Sequence, residues 1–464
     1  MATIQDVHEL LQLLELTHKA VHTIIGEWAK TPSSNQRKGT EISKNSLPGR
    51  ELFEARRTLI SATGKFVELV ASPSERLLEV SSQYNEARCL HIAASLRIAD
   101  ILAANGESGV TVEELSTRTG VQSQKLALAG NEPLRAYIVM FALDLYTASD
   151  ALPRTLLDPK FGHSYSVTET AFQKALNTNK ERWNWLEEET TPLELQNGGP
   201  GKYPGPFGPE LSNAITQHQS EDKIKRPEHS IFGLAMLGGG RITGVAHLFG
   251  NQKHSLQNEE QVSKVSPPQT SLGQASVRPQ LSTSEVESDR GPVLEQAQKE
   301  VWPTENAEAL AQGRVQFITH NFFDKNFVEG ADVYWLRYIL HDWSDDYSIQ
   351  ILSALRQSMG PHSRVLICDQ VMNTTAGFQT VAPAPSPLPA SCGYHTHYSH
   401  QRDISMMSII NGIERIPGEF KNIIEKAGLE LSRIYDCRSQ VSLVECTLPR
   451  TTADVPTNGQ QNGH

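Results

Sequence analysis

The chain has 464 residues, 38% of them hydrophobic and 20% charged, with a formal net charge of -11. That length holds two or three domains with a real core. The acidic balance argues against a general nucleic-acid or anionic-membrane binder, because either partner would repel it. The five cysteines are scattered and form no CxxC. This disfavours a disulfide framework or a thiolate zinc site and fits a reducing compartment.

Residues 1–30 carry apolar positions at helical spacing: Leu10, Leu11, Leu14, Val21, Ile24 and Ile25. The stretch has early acids and lacks the basic start and unbroken apolar run of a secretory signal. No run approaches the length of a membrane span, so a cytoplasmic protein is expected. Residues 31–50 read as a polar loop, and the chain from Glu51 to Ala104 reads as helical. In "GVTVEELSTRTGVQSQKLAL", Thr111 and Glu114 have the spacing of a capping box, and Gly120 breaks to a second short helix near Ser123. Two short helices around a glycine turn fit a winged-helix-like unit. A DNA-reading second helix would be basic, and Lys125 is nearly all it offers, so a structural or dimerising role is the better reading.

Helices are predicted over 170–190, with Trp183 and Trp185, and over 227–249. The stretch 251–290 holds no Phe, Tyr, Trp or Ile and a single glycine, Gly273. Such a composition buries too little surface to offset chain entropy and predicts disorder. Strands then alternate with helices: "RVQFITHNFF", "ADVYWLRYIL", "SDDYSIQILSALRQSMG", "SRVLICDQVM", a Pro-rich loop over 373–393, helices near 401–412 and from Pro417 to Ala427, and the strands "LSRIYDCRS" and "VSLVECTLP". That order predicts an α/β fold with a parallel, doubly wound sheet.

In such sheets ligands bind beyond the carboxyl ends of the strands. Three polar residues fall there: Asn321, His341 and Asp369. A histidine after a strand is often a cap or packing residue. A nearby carboxylate makes a catalytic reading stronger, since it fixes the tautomer and supports the protonated ring. His395, His397 and His400 offer an alternative metal cluster, but their Pro-flanked loop and mixed spacing favour a pocket lining.

"LRYILHDWSDD", "RVLICDQVM" and "NGIERIPGEFKNIIEKAGL", in that order, resemble the fungal and plant small-molecule O-methyltransferases. The likeness extends over most of 51–125, 151–250 and 289–447. It implies a Rossmann-like catalytic domain preceded by a helical, winged-helix-like dimerisation domain, with boundaries near 1–160 and 161–450 and a loose tail over 451–464. It also implies S-adenosyl-L-methionine as methyl donor, an aromatic or polyketide-type hydroxyl of secondary metabolism as acceptor, a homodimer and no metal. In the same way His341 is implied as general base, with Asp369 and Glu414 as flanking acids. Asp289 would hold the cofactor ribose, Asn321 and Phe322 its adenine, and Arg337 would contact it as well. Without the likeness, Glu414 reads equally as a surface ion-pair partner. Asp342 reads as a helper of the base or a helix cap. Trp183, Trp185, Met236, Met406 and Met407 are acceptor-pocket candidates or ordinary core.

Two intervals depart from the family pattern. Between "GVAHLF" and "DRGPVLEQA" there is no apolar strand, glycine-rich loop or suitable acid where relatives carry all three. The GGG at 238–240 lies inside an upstream helix. Residues 126–150 replace the expected wing, so the first domain reads as truncated there. Both intervals look like the result of a shifted reading frame, a retained intron or a skipped exon. The competing reading is therefore a catalytically impaired relative with a binding or structural role.

Overall fold

The computed structural model describes residues 4–30, 48–105, 110–119, 132–242, 270–272 and 285–449, less some positions within 72–82 and 199–208 and at 306, 380, 382 and 438. The amino-terminal half is helical. Ile4–Ala29 and Arg50–Val70 pack against each other along Ala20, Ile24 and Ala55. Leu13 and Ala62 of this pair cover Leu388 and Cys392 of the Pro-rich loop. The Thr111 hydroxyl accepts the Glu114 N–H at 3.2 Å and starts the helix Val112–Thr119, as the capping pattern predicts. The second short helix expected near Ser123 lies outside the described residues.

The described part of the stretch that stands in place of the expected wing is built into the core. Glu132–Met140 and Tyr146–Leu156 flank a π-helical turn, Phe141–Leu145, with non-helical backbone at Leu143. Val139, Met140, Leu143, Ala148 and Ala151 are buried there with Phe172 and Trp185. Ile409 and Ile410, from the helix His397–Ile410, enter the same cluster, so one helix from the sheet half of the sequence is anchored in the helical half.

Two short strands, β1 (Glu189–Thr190) and β2 (Ile224–Lys225), pair antiparallel. The main sheet has seven: β3 (Thr270–Leu272), β4 (Glu285–Asp289), β5 (Val315–Thr319), β6 (Val333–Arg337), β7 (Arg364–Asp369), β8 (Glu430–Asp436) and β9 (Ser442–Thr447). Their order is β5-β4-β3-β6-β7-β9-β8. The first five run parallel, and β9 lies antiparallel to both β7 and β8. All five residues of β6 are buried, as both-sided cover of a parallel strand requires. Leu336, Val365 and Ile367 pack with Ile351 and Leu355 of the helix Asp345–Arg356 and with Phe420 and Ile423 of the helix Pro417–Lys426.

The sheet corrects the reading of 251–288 as uniformly disordered. Residues 270–272 form the central strand, paired with Val286–Ser288 on one side and Tyr334–Leu336 on the other. Residues 285–288 belong to β4. Three polar-rich residues carry no period-2 signal, and only pairing on both edges makes them a strand. The rest of that interval, including the place where a glycine-rich loop was sought, lies outside the described residues. Chain order reverses on either side of β3, and that switch point fixes where a ligand cleft opens.

Candidate active site

Beyond β6 the chain turns sharply. Tyr338 takes a left-handed φ of 51°, strained for a residue with a bulky side chain, and its N–H donates to Cys368 O at 3.2 Å. The turn Leu340–Asp342 follows and holds His341, 5% exposed. The segment 411–415 crosses over this turn and binds it. Ile413 N–H donates to His341 O at 2.8 Å. Arg415, 1% exposed, donates to Leu340 O and Trp343 O at 2.7 Å each and pairs with Asp345 at 3.0 Å.

The same crossing delivers Glu414. Its Oε1 lies 2.9 Å from His341 Nδ1, its side chain is fully buried, and its N–H donates to Asp403 Oδ1 at 2.9 Å. Asp342 Oδ1 is 3.2 Å from His341 Nε2. Asp342 does not cap the following helix, whose N-cap is Ser344. Burial alone would disfavour a charged imidazole, but the Asp342 and Glu414 carboxylates outweigh it and raise the His341 pKa. Asp369 ends β7 with both carboxylate oxygens buried and without a hydrogen bond. Burial pushes its carboxyl up to about 6, against the pull of His341. The structure therefore brings His341 and Glu414 into contact and sets Asp369 close enough to interact with the ring through charge.

Asp289 ends β4, next to the central strand. Its Oδ1 accepts the Arg290 N–H at 2.7 Å, and burial pushes its carboxyl up to about 6. Arg337 ends β6, is 5% exposed, and its guanidinium makes no hydrogen bond among the described residues. A cationic fork and an acceptor-only carboxylate at the tips of the strands on either side of the central strand β3 fit the carboxylate and the ribose diol of S-adenosylmethionine. Asn321 follows β5; it is exposed, and its amide donates to Asp324 at 3.2 Å. Phe322 packs edge-on against Trp343, with ring centroids 5.8 Å apart.

Trp185, offered as a pocket residue, is 1% exposed and sits among Phe172 and Tyr203, so it is core. Trp183 is only partly buried and meets Phe232 edge-on at 5.3 Å. Met236, Met406 and Met407 are also partly buried. The three loop histidines separate: His395 meets Phe53 edge-on at 6.4 Å, His397 stacks on Tyr394 at 5.6 Å, and His400 is exposed. No three His, Cys, Asp or Glu converge as a metal site among the described residues.

Sequence reasoning missed Arg402. It is 7% exposed, its Nε meets Glu414 Oε1 at 3.1 Å, and its Nη2 lies 3.2 and 3.4 Å from the two nitrogens of His341. No signal in the sequence singled it out, since its helical neighbours His400, Gln401 and Ile404 are exposed.

The fold defines the first level of identity. The structure aligns with mitomycin 7-O-methyltransferase MmcR at a TM-score of 0.52 and 20% identity, over 81% of this chain and 98% of that one. It aligns with LepI, solved with S-adenosylhomocysteine and a substrate analogue, at 0.57 and 18%, over 85% and 94%. Residues 289–430 match the family model of the O-methyltransferase domain. O-methyltransferase tpcA of Aspergillus fumigatus is 47% identical over 96% of this chain and 97% of its own length, and cicE of Emericella nidulans 44% over 96% and 90%. The chain belongs to the O-methyltransferase family, and it is an S-adenosylmethionine-dependent O-methyltransferase. Its alignment along nearly the whole length of these relatives does not favour the inactive-relative reading.

Proposed function

We propose that the enzyme methylates a phenolic or polyketide-type hydroxyl of a small molecule of secondary metabolism, with His341 as general base. The observation that carries this is the 2.9 Å contact of His341 Nδ1 with buried Glu414, with Asp342 at the other ring nitrogen. Glu414 fixes the ring by accepting the Nδ1 proton, so Nε2 is the nitrogen that takes the acceptor's proton. Bound S-adenosylmethionine supplies a methyl group on a sulfonium, which departs as the neutral thioether when the acceptor oxygen attacks. Arg337 and Asp289 hold the donor's carboxylate and ribose, and Asn321 and Phe322 border its adenine. Asp369 completes the buried acid set around the ring.

On this reading residues 161–450 form the Rossmann-like catalytic domain, 1–160 the helical, winged-helix-like dimerisation domain, and 451–464 a tail. The protein acts as a cytoplasmic homodimer. Among the described residues no helix is long and apolar enough to cross a membrane.

The test is methyl transfer from S-adenosylmethionine to a panel of polyhydroxylated aromatics. His341→Ala should lower kcat by about 10²- to 10⁴-fold, the usual contribution of a general base, and leave donor affinity unchanged. Undiminished turnover by this variant would remove His341 from the role.

A further inference from the structure

Arg402 is more than a counter-ion. Its guanidinium is clamped over the Tyr338 ring, with Cζ 4.1 Å from the centroid. Nε is engaged by Glu414, and Nη2 faces the imidazole of His341. No hydrogen bond engages Nη1 among the described residues. The hydroxyls of Tyr137 and Tyr398 pair nearby.

Arg402 opposes protonation of His341, although the Asp342 and Glu414 carboxylates outweigh it. When His341 takes a proton, two cations stand about 3 Å apart with Glu414 Oε1 shared between them. An acceptor that has just become an anion removes the conflict, because its oxygen can meet both. The cation is already buried and fixed, so it needs no reorganisation as charge develops.

We propose that Arg402 is the oxyanion-binding residue of the acceptor site, its Nη groups holding the hydroxyl oxygen of a phenol as that oxygen passes its proton to His341. The oxygen keeps the electron pair of the broken O–H bond and carries it to the methyl carbon. The inference rests on His341 acting as the base. It adds that the acceptor class is one whose hydroxyl ionises during the reaction.

The experiment compares the full-length enzyme with R402Q and R402K on a series of substituted phenols of graded acidity that the wild type methylates. R402Q should lose about 10²- to 10³-fold in kcat, as when an oxyanion donor is removed. The loss should be largest for the least acidic phenols, and R402K should recover part of it. Titration calorimetry with S-adenosylmethionine checks that each variant is folded and binds donor. A loss of equal size across the series would reduce Arg402 to a packing residue and overturn the proposal, as would full activity of R402Q. A wild type that methylates no phenol, or an active H341A, would instead sink the underlying reading of the base.

Discussion

Gly412→Ala is a one-carbon change next to the catalytic turn. Gly412 lies where the 411–415 segment crosses the turn that holds His341. An added Cβ would stand 2.3 Å from His341 O, 3.1 Å from Met406 Cβ and 3.2 Å from Asp342 Cα. The first contact is with backbone, and real Cβ atoms essentially never approach closer than 3.0 Å, so no side-chain rotation relieves it. One strand of the crossing must retreat by roughly 1 Å, and a misplacement of that size costs about 10²-fold in rate. The retreat also loosens the 2.8 Å bond from Ile413 N–H to His341 O. The overpacking should cost about 1–3 kcal/mol of stability. The assay pairs kcat for methyl transfer with donor affinity by calorimetry. Asp289 sits at the tip of β4, and Arg337 is held in the β6–β7 ladder before the turn begins, so donor binding should survive while turnover falls. A variant within about threefold of wild-type kcat would show that the crossing yields without moving His341, and the account of how Glu414 reaches the ring would be wrong.

Two further outcomes follow from charge. In the proposed role Asp289 accepts hydrogen bonds from a ribose diol only when ionised, and burial pushes its carboxyl up to about 6. S-adenosylmethionine affinity should therefore be flat above that pH and fall as pH drops through it, to roughly tenfold weaker one unit below. Calorimetry across that range should find weak, pH-insensitive binding in Asp289→Asn, and an unchanged pH profile in that variant would move the titrating group elsewhere. The Asp342 and Glu414 carboxylates raise the pKa of His341, and the base acts only when neutral, so kcat/KM should fall on the acid side at a pH above that of an ordinary imidazole. Glu414→Gln removes one of the two negative charges. It should move that acid limb to lower pH while lowering kcat through loss of ring orientation, and a limb that moves upward would contradict the assignment.

The C-terminal half of the sheet was legible because 333–336 of β6 and 365–368 of β7 are apolar runs that stop at a charged residue, the pattern of strands covered on both faces. Asp369 could be placed at a strand tip on that basis alone, and His341 beside one, although β6 ends earlier, at Arg337, and His341 sits in the turn that follows. Glu414 was different. Its spacing carries no information about His341, 73 positions away, and only the motif around it suggested the contact. The central strand β3 was illegible because Thr270–Leu272 has neither length nor alternation, and its identity comes from the two neighbours that hydrogen-bond to it. The helical run through 132–156 was not legible, because its burial depends on a partner, Pro227–Ile242, that lies far along the chain.

The sequence by itself determined the strands β5 to β9, the position of His341 just beyond one of them, and which family chemistry its motifs resemble. These follow from local hydrophobic period and from residue types that have few other uses. Only the tertiary structure decided that a guanidinium shares Glu414 with the base, that Gly412 must lack a side chain, and that Arg415 binds the carbonyls on both sides of His341. Each of these depends on two distant segments crossing at van der Waals distance, and such proximity leaves no period or composition in either segment alone.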